Sequence, residues 1–158
     1  MLFHPIRAFA AGVLAIAAFS AFAQEQKQIH IVYMGGDDCP PCLDWRKNEL
    51  PKLKLTEVVS SIKFSYIRKG IHSPVPSRIF LPDEVKPYKE KLDVASNGLV
   101  GSAQVAILVN GEVFDYYFGS ERKAADVERM LLAIRNGTPY PFTRCLKARD
   151  FWKCEVQG

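Results

Sequence analysis

The chain has 158 residues, 48% of them hydrophobic and 24% charged, with 10 Gly, 10 Pro and 4 Cys. That composition excludes disordered and fibrous proteins, and the length suits a single core rather than two domains of ordinary size. The net charge of +4 comes with no Lys/Arg cluster and no basic stripe interleaved with aromatics, which leaves nucleic-acid binding without an electrostatic footprint.

Residues 1–24, MLFHPIRAFAAGVLAIAAFSAFAQ, have one Arg, then an uncharged Ala-rich run and Ala21-Phe22-Ala23 with small residues at both cleavage positions. A signal peptide over 1–23, cleaved after Ala23, is expected. The competing reading is an uncleaved anchor, because the run approaches the lower length for a spanning helix. No later stretch is apolar enough to span a bilayer, so the mature chain is expected to be periplasmic or secreted, with no stable membrane insertion. In an oxidising compartment thiols form lasting disulfides, and all four Cys lie after the leader as two close pairs.

Residues 28–34 (QIHIVYM) are apolar and β-branched and end at Gly35-Gly36-Asp37-Asp38, which predicts a buried strand and a turn. Cys39 then opens a helix. Pro40 and Pro41 are tolerated only in a first turn; Leu43, Trp45, Leu50 and Leu53 supply apolar positions, and Pro51 is expected to kink or end it. Residues 62–68 alternate as a second strand. Residues 69–82, with three prolines, read as a long surface loop, and 83–92 carry a weak helical pattern.

Residues 104–109 (QVAILV), Asn110-Gly111 and 112–118 (EVFDYYF) read as an antiparallel hairpin. Ser120 is the expected N-cap of a helix to Arg135 that places Ala124, Val127, Met130, Leu131 and Ile134 on one face and stops at Asn136-Gly137. Asn136-Gly137-Thr138 also matches a glycosylation acceptor. The element order predicts an α/β fold: a central mixed sheet with helices on both faces. The expected division is a domain over 24–137 and a C-terminal tail over 138–158 carrying the second Cys pair.

Cys39-Pro40-Pro41-Cys42 at a strand-to-helix junction points to thiol chemistry. A thiol in a first helical turn feels unpaired backbone N–H groups and the positive end of the helix dipole, which favour thiolate. Cys39 gains most from this, and Cys42, one turn on, is placed to attack a mixed disulfide. Asp37 and Asp38 oppose the thiolate by like charge. The alternatives are a structural disulfide or half of a zinc site, although a second CxxC or a close His pair is missing from the sequence. His72 in the Pro-rich loop offers a copper set with the two sulfurs if that loop folds over them. His30 reads as a packed or edge histidine.

Here the chain resembles the thioredoxin-like superfamily, on residues 28–134, through the strand-CPPC-helix unit and the later Gly101-x-x-x-Val-x-Ile-Leu-Val-Asn-Gly-Glu-Val hairpin. The resemblance implies a thioredoxin-like fold, with Cys39 as the exposed nucleophile and Cys42 as the resolving thiol. Pro41 matches the proline before the second cysteine, and Trp45 is similar to exported members from bacterial sulfur-oxidation clusters. Pro40, Pro41, Ser102 and Ala103 are then the substrate-binding residues. Three departures stand out: Ala103 where the family carries a cis-proline, Tyr33 where a buried acid stands six before the first cysteine, and Asp38 in place of a Trp. A cis bond before a non-proline residue costs about 3 kcal/mol, so the loop at Ala103 is either strained or trans.

The implied activity is exported thiol-disulfide exchange with protein thiols and disulfides, fed by a membrane reductant or oxidant, with no organic cofactor because no Gly-rich nucleotide or phosphate loop is present. The alternatives are a copper- or zinc-binding or partner-binding module that kept the dithiol, motivated by Ala103, and an adaptor using the 69–82 loop. Cys145 and Cys154 read as a structural disulfide stapling the tail, with an electron relay to Cys39 and Cys42 as the other reading.

Overall fold

The computed structural model describes residues 26–119, 122–148 and 154–156, the last without side chains. The signal peptide expected over 1–23 lies outside the described residues, as does Ser120. Among the described residues no helix is long and apolar enough to cross a membrane.

Strand β1 (Ile29–Gly35) is buried along its whole length, which is why its sequence is almost continuously apolar. It is followed by α1 (Pro40–Asn48), α2 (Leu50–Lys54), α3 (Glu57–Ser60) and β2 (Lys63–Arg68). After the Pro-rich loop come α4 (Lys89–Ser96), β3 (Gln104–Val109), β4 (Glu112–Phe118) and α5 (Ala124–Asn136). The four strands form one mixed sheet in the order β2-β1-β3-β4, with β1 parallel to β2 and antiparallel to β3. Asn110 and Gly111 both have positive φ, 51° and 80°, the two-residue turn that matches strand twist.

The period of two sorts the β1 side chains onto two cores. Ile29, Ile31 and Tyr33 join Val105 and Ile107 under α1, α2, α3 and α5; Val32 and Met34 join Ala106, Leu108 and Tyr116 under α4 and the Pro-rich loop. The expected α/β architecture with helices on both faces is therefore present. The five apolar residues expected on the inner face of α5 are all buried.

Several boundaries differ from expectation. The first helix stops at Asn48, three residues before Pro51, which instead stands in the first turn of α2. The cause is Glu49: its carboxylate accepts from the Ala124 N–H at the start of α5 (2.8 Å) and from Lys52 (3.0 Å), so the chain breaks where that side chain must turn inward. The N-cap of α5 is Lys123, not Ser120, and its N–H reaches Asp126 at 3.4 Å. The helical pattern of 83–92 becomes a short 3-10 turn, Lys86–Tyr88, leading into α4. The tail, expected as a segment stapled by its cysteine pair with no strand assigned to it, forms a second small sheet of β5 (Cys145–Ala148) and β6 (Cys154–Val156). Asp115 on β4 anchors it by accepting from Tyr140 Oη (2.7 Å) and from the Cys145 N–H (2.9 Å).

His30 is packed as expected. It is 5% exposed, its Nε2 donates to Ser65 Oγ at 2.9 Å, and Ser65 in turn donates to Glu84. Burial, aided by Lys63 and opposed by Glu84, lowers its pKa below 6.5. A depressed histidine pKa means that stability is full above the unfolded-state pKa of 6.5 and is lost as pH falls through it toward the folded-state value. Denaturant midpoints at about pH 7.5 and pH 5 test this: the wild type loses stability over that interval, and His30→Gln has the smaller slope whatever its absolute stability.

Candidate active site

Cys39 is the N-cap of α1 and Pro40 and Pro41 open the helix, where their missing N–H groups leave no hydrogen bond unmade. Cys39 and Cys42 form a disulfide with an S–S distance of 2.06 Å. The Cys42 N–H points at Cys39 Sγ (3.3 Å), and the Cys39 carbonyl accepts from the N–H groups of Cys42 and Leu43 (3.0 and 3.1 Å). A backbone donor aimed at Cys39 Sγ at a helix N-terminus favours the anionic sulfur once the bond opens.

The segment Gly101-Ser102-Ala103 lies against both sulfurs. The Ser102 carbonyl is 3.7 Å from Cys39 Sγ, and its hydroxyl donates to Cys42 Sγ at 3.3 Å, since a disulfide sulfur has no proton to give. Of the two readings at Ala103, the backbone takes the cis one: the Ser102–Ala103 bond is cis. The structure thus brings Cys39, Cys42, Ser102 and Ala103 to one place, with Pro40 and Pro41 exposed beside them.

One expectation is corrected. Cys39 is not exposed: it is 1% accessible, and Cys42 is 0%. The Ser102 carbonyl lies against the Cys39 sulfur at 3.7 Å, a contact that a view limited to helix position does not include.

The opposition expected from Asp37 is largely answered. Its carboxylate is held by Arg46 (2.6 Å) and by Arg68, and the Arg46 hydrogen bond holds its pKa below the usual carboxylate range. Asp38 instead accepts from the Ile71 N–H at 3.0 Å, tying the start of the Pro-rich loop to the dithiol turn. Gly36 lets these chains approach, because an added Cβ would stand 2.5 Å from the Lys69 carbonyl oxygen.

Beneath the disulfide Tyr33 stacks between Trp45 and Tyr66, with centroids 4.6 and 5.6 Å away. Its hydroxyl is buried without a hydrogen-bond partner among the described residues, and burial pushes its pKa up. Trp45 Nε1 donates to the Arg122 carbonyl at 2.7 Å, joining α1 to the approach of α5.

His72 is exposed on its loop, and among the described residues no group of three His, Cys, Asp or Glu side chains is gathered to hold a metal ion, so the copper set of Cys39, Cys42 and His72 is not assembled. Cys145 is disulfide-bonded; Cys154 lies in β6, and its side chain is outside the described residues. Sequence reasoning missed Lys69, which is 3% exposed with its ammonium on the Gly101 carbonyl. A lysine in a Pro- and Gly-rich loop reads as solvated, and no local pattern marks it otherwise. No family model, curated protein or solved structure matches the chain.

Proposed function

We propose that this chain is an exported, thioredoxin-like thiol-disulfide oxidoreductase working through Cys39 and Cys42. The carrying observation is the disulfide between these residues at the N-terminus of α1, with Ser102 against both sulfurs. In the reducing direction the Cys39 thiolate attacks one sulfur of a partner disulfide, forming a mixed disulfide and releasing the other partner sulfur as thiolate. Cys42 then attacks Cys39 Sγ, the internal disulfide reforms, and the partner leaves with its second thiol. Two electrons pass from dithiol to partner, and the reverse sequence oxidises a partner dithiol.

In this reading Pro40, Pro41, Ser102 and Ala103 contact the partner backbone, Cys145 with Cys154 staples the tail, and residues 1–23 direct export to the periplasm or outside. Partners are protein thiols and disulfides, with a membrane reductant or oxidant closing the cycle. The test is catalysed exchange on a disulfide-containing protein in a glutathione buffer. Multiple turnovers per molecule are expected; exchange no faster than with buffer alone overturns the reading.

A further inference from the structure

We propose that the buried ammonium of Lys69, held on the Gly101 carbonyl beside the dithiol, acts by its charge to raise the thiolate character of Cys39. This rests on the reading of Cys39 as the attacking sulfur.

Lys69 follows β2 directly, and its backbone N–H is bound to the Gly35 carbonyl at 3.2 Å, which fixes it beside the end of β1. Its ammonium donates to the carbonyls of Gly101 (2.5 Å) and Gly70 (3.4 Å). Gly101 is further held by its own N–H on the Ile71 carbonyl at 2.7 Å, so the segment is tied to this loop from two sides. The carbonyl of the next residue, Ser102, is the one lying against Cys39 Sγ. The carbonyl touching the ammonium and the carbonyl touching the sulfur therefore belong to consecutive residues.

Two carbonyl oxygens satisfy the donors only in part and supply no opposite charge. Among the described residues Lys69 forms no ion pair: Asp37 is taken by Arg46 and Arg68, and Asp38 is bound to the Ile71 N–H. These four side chains, exposed His72 on the same loop, Tyr66, whose hydroxyl donates to the Gly35 carbonyl, and buried Tyr33 stacked on it are charged or titratable groups at this end of the sheet. Burial lowers the Lys69 pKa to about 8, with Asp38 opposing. A buried cation that lacks a contact ion pair is stabilised by an anion formed nearby, and opening the disulfide forms one at Cys39. The attraction is mutual, so the thiolate also raises the affinity of Lys69 for its proton.

The wild-type protein supplies the first test. The Lys69 amine pKa, followed by NMR or by differential amine labelling, is measured with the 39–42 pair oxidised and again after chemical reduction. A higher value in the reduced protein is expected, and equal values overturn the proposal. The second test is the Cys39 thiolate fraction, read by ultraviolet absorbance of reduced protein at a fixed pH below the thiol pKa. Lys69→Met is expected to lower that fraction about tenfold, and Lys69→Arg to restore most of it. A folded Lys69→Met protein with the wild-type fraction overturns the proposal. Both readouts need only chemical reduction of the disulfide. A protein that shows them without catalysing exchange therefore supports the Lys69 assignment while overturning the oxidoreductase function.

Discussion

Cys39→Ser is expected to abolish catalysed disulfide exchange, lowering its rate on the order of 10³-fold or more, whereas Cys42→Ser keeps the first attack and stalls. The two cysteines differ in what surrounds them. Cys39 Sγ receives the Cys42 N–H at the helix N-terminus, the arrangement that favours an attacking thiolate. Cys42 is fully buried and placed to displace the partner from Cys39. Without it the mixed disulfide between Cys39 and the partner persists, and intact-protein mass spectrometry records the adduct. Exchange surviving in Cys39→Ser, or an adduct on Cys42 instead, contradicts this division of labour.

Trp45→Ala is expected to lower the unfolding free energy by about 3–5 kcal/mol, the range for removing a large aromatic from a core. Trp45 is 3% exposed, stacks on Tyr33 and donates to the Arg122 carbonyl. Together with Cys42 it forms the buried face of α1. Against a total stability of about 5–15 kcal/mol, this is a large share, and a fall in Tm on the order of 10–20 °C follows for a chain of this size. Trp45→Phe retains the ring stack and loses the N–H bond, leaving the Arg122 carbonyl short of a donor at about 1 kcal/mol. Thermal melts of the three proteins give the order wild type, Phe, Ala. Equal melts for Ala and wild type would show that the helix is held elsewhere.

Much of the fold was legible because its signals are local and periodic. The continuous apolar run of β1, the Asn110-Gly111 turn and the 3.6-residue spacing of Ala124, Val127, Met130, Leu131 and Ile134 each specify an element without reference to the rest of the chain. The misplaced features depend on distant partners. The break at Glu49 exists because its carboxylate caps a helix 75 residues later. The β5–β6 sheet depends on Asp115, 30 residues upstream of Cys145, as an acceptor. At the site, the spacing of Cys39 and Cys42 and the position of Ser102 and Ala103 were readable. The contact of Ser102 with Cys39 and the burial of Lys69 arise from β2, the Pro-rich loop and the start of β3 meeting at one end of the sheet, and no window of sequence contains all three.

The most direct test of the central claim is equilibrium titration of the 39–42 pair against glutathione, with metal content assayed on the same sample and Cys145→Ser/Cys154→Ser run alongside. A metal-free protein whose Cys39–Cys42 pair opens and closes as a reversible two-electron couple, unchanged in the tail variant, is the predicted result. A pair that stays locked as a disulfide across the accessible range, or that copurifies with stoichiometric metal, contradicts it.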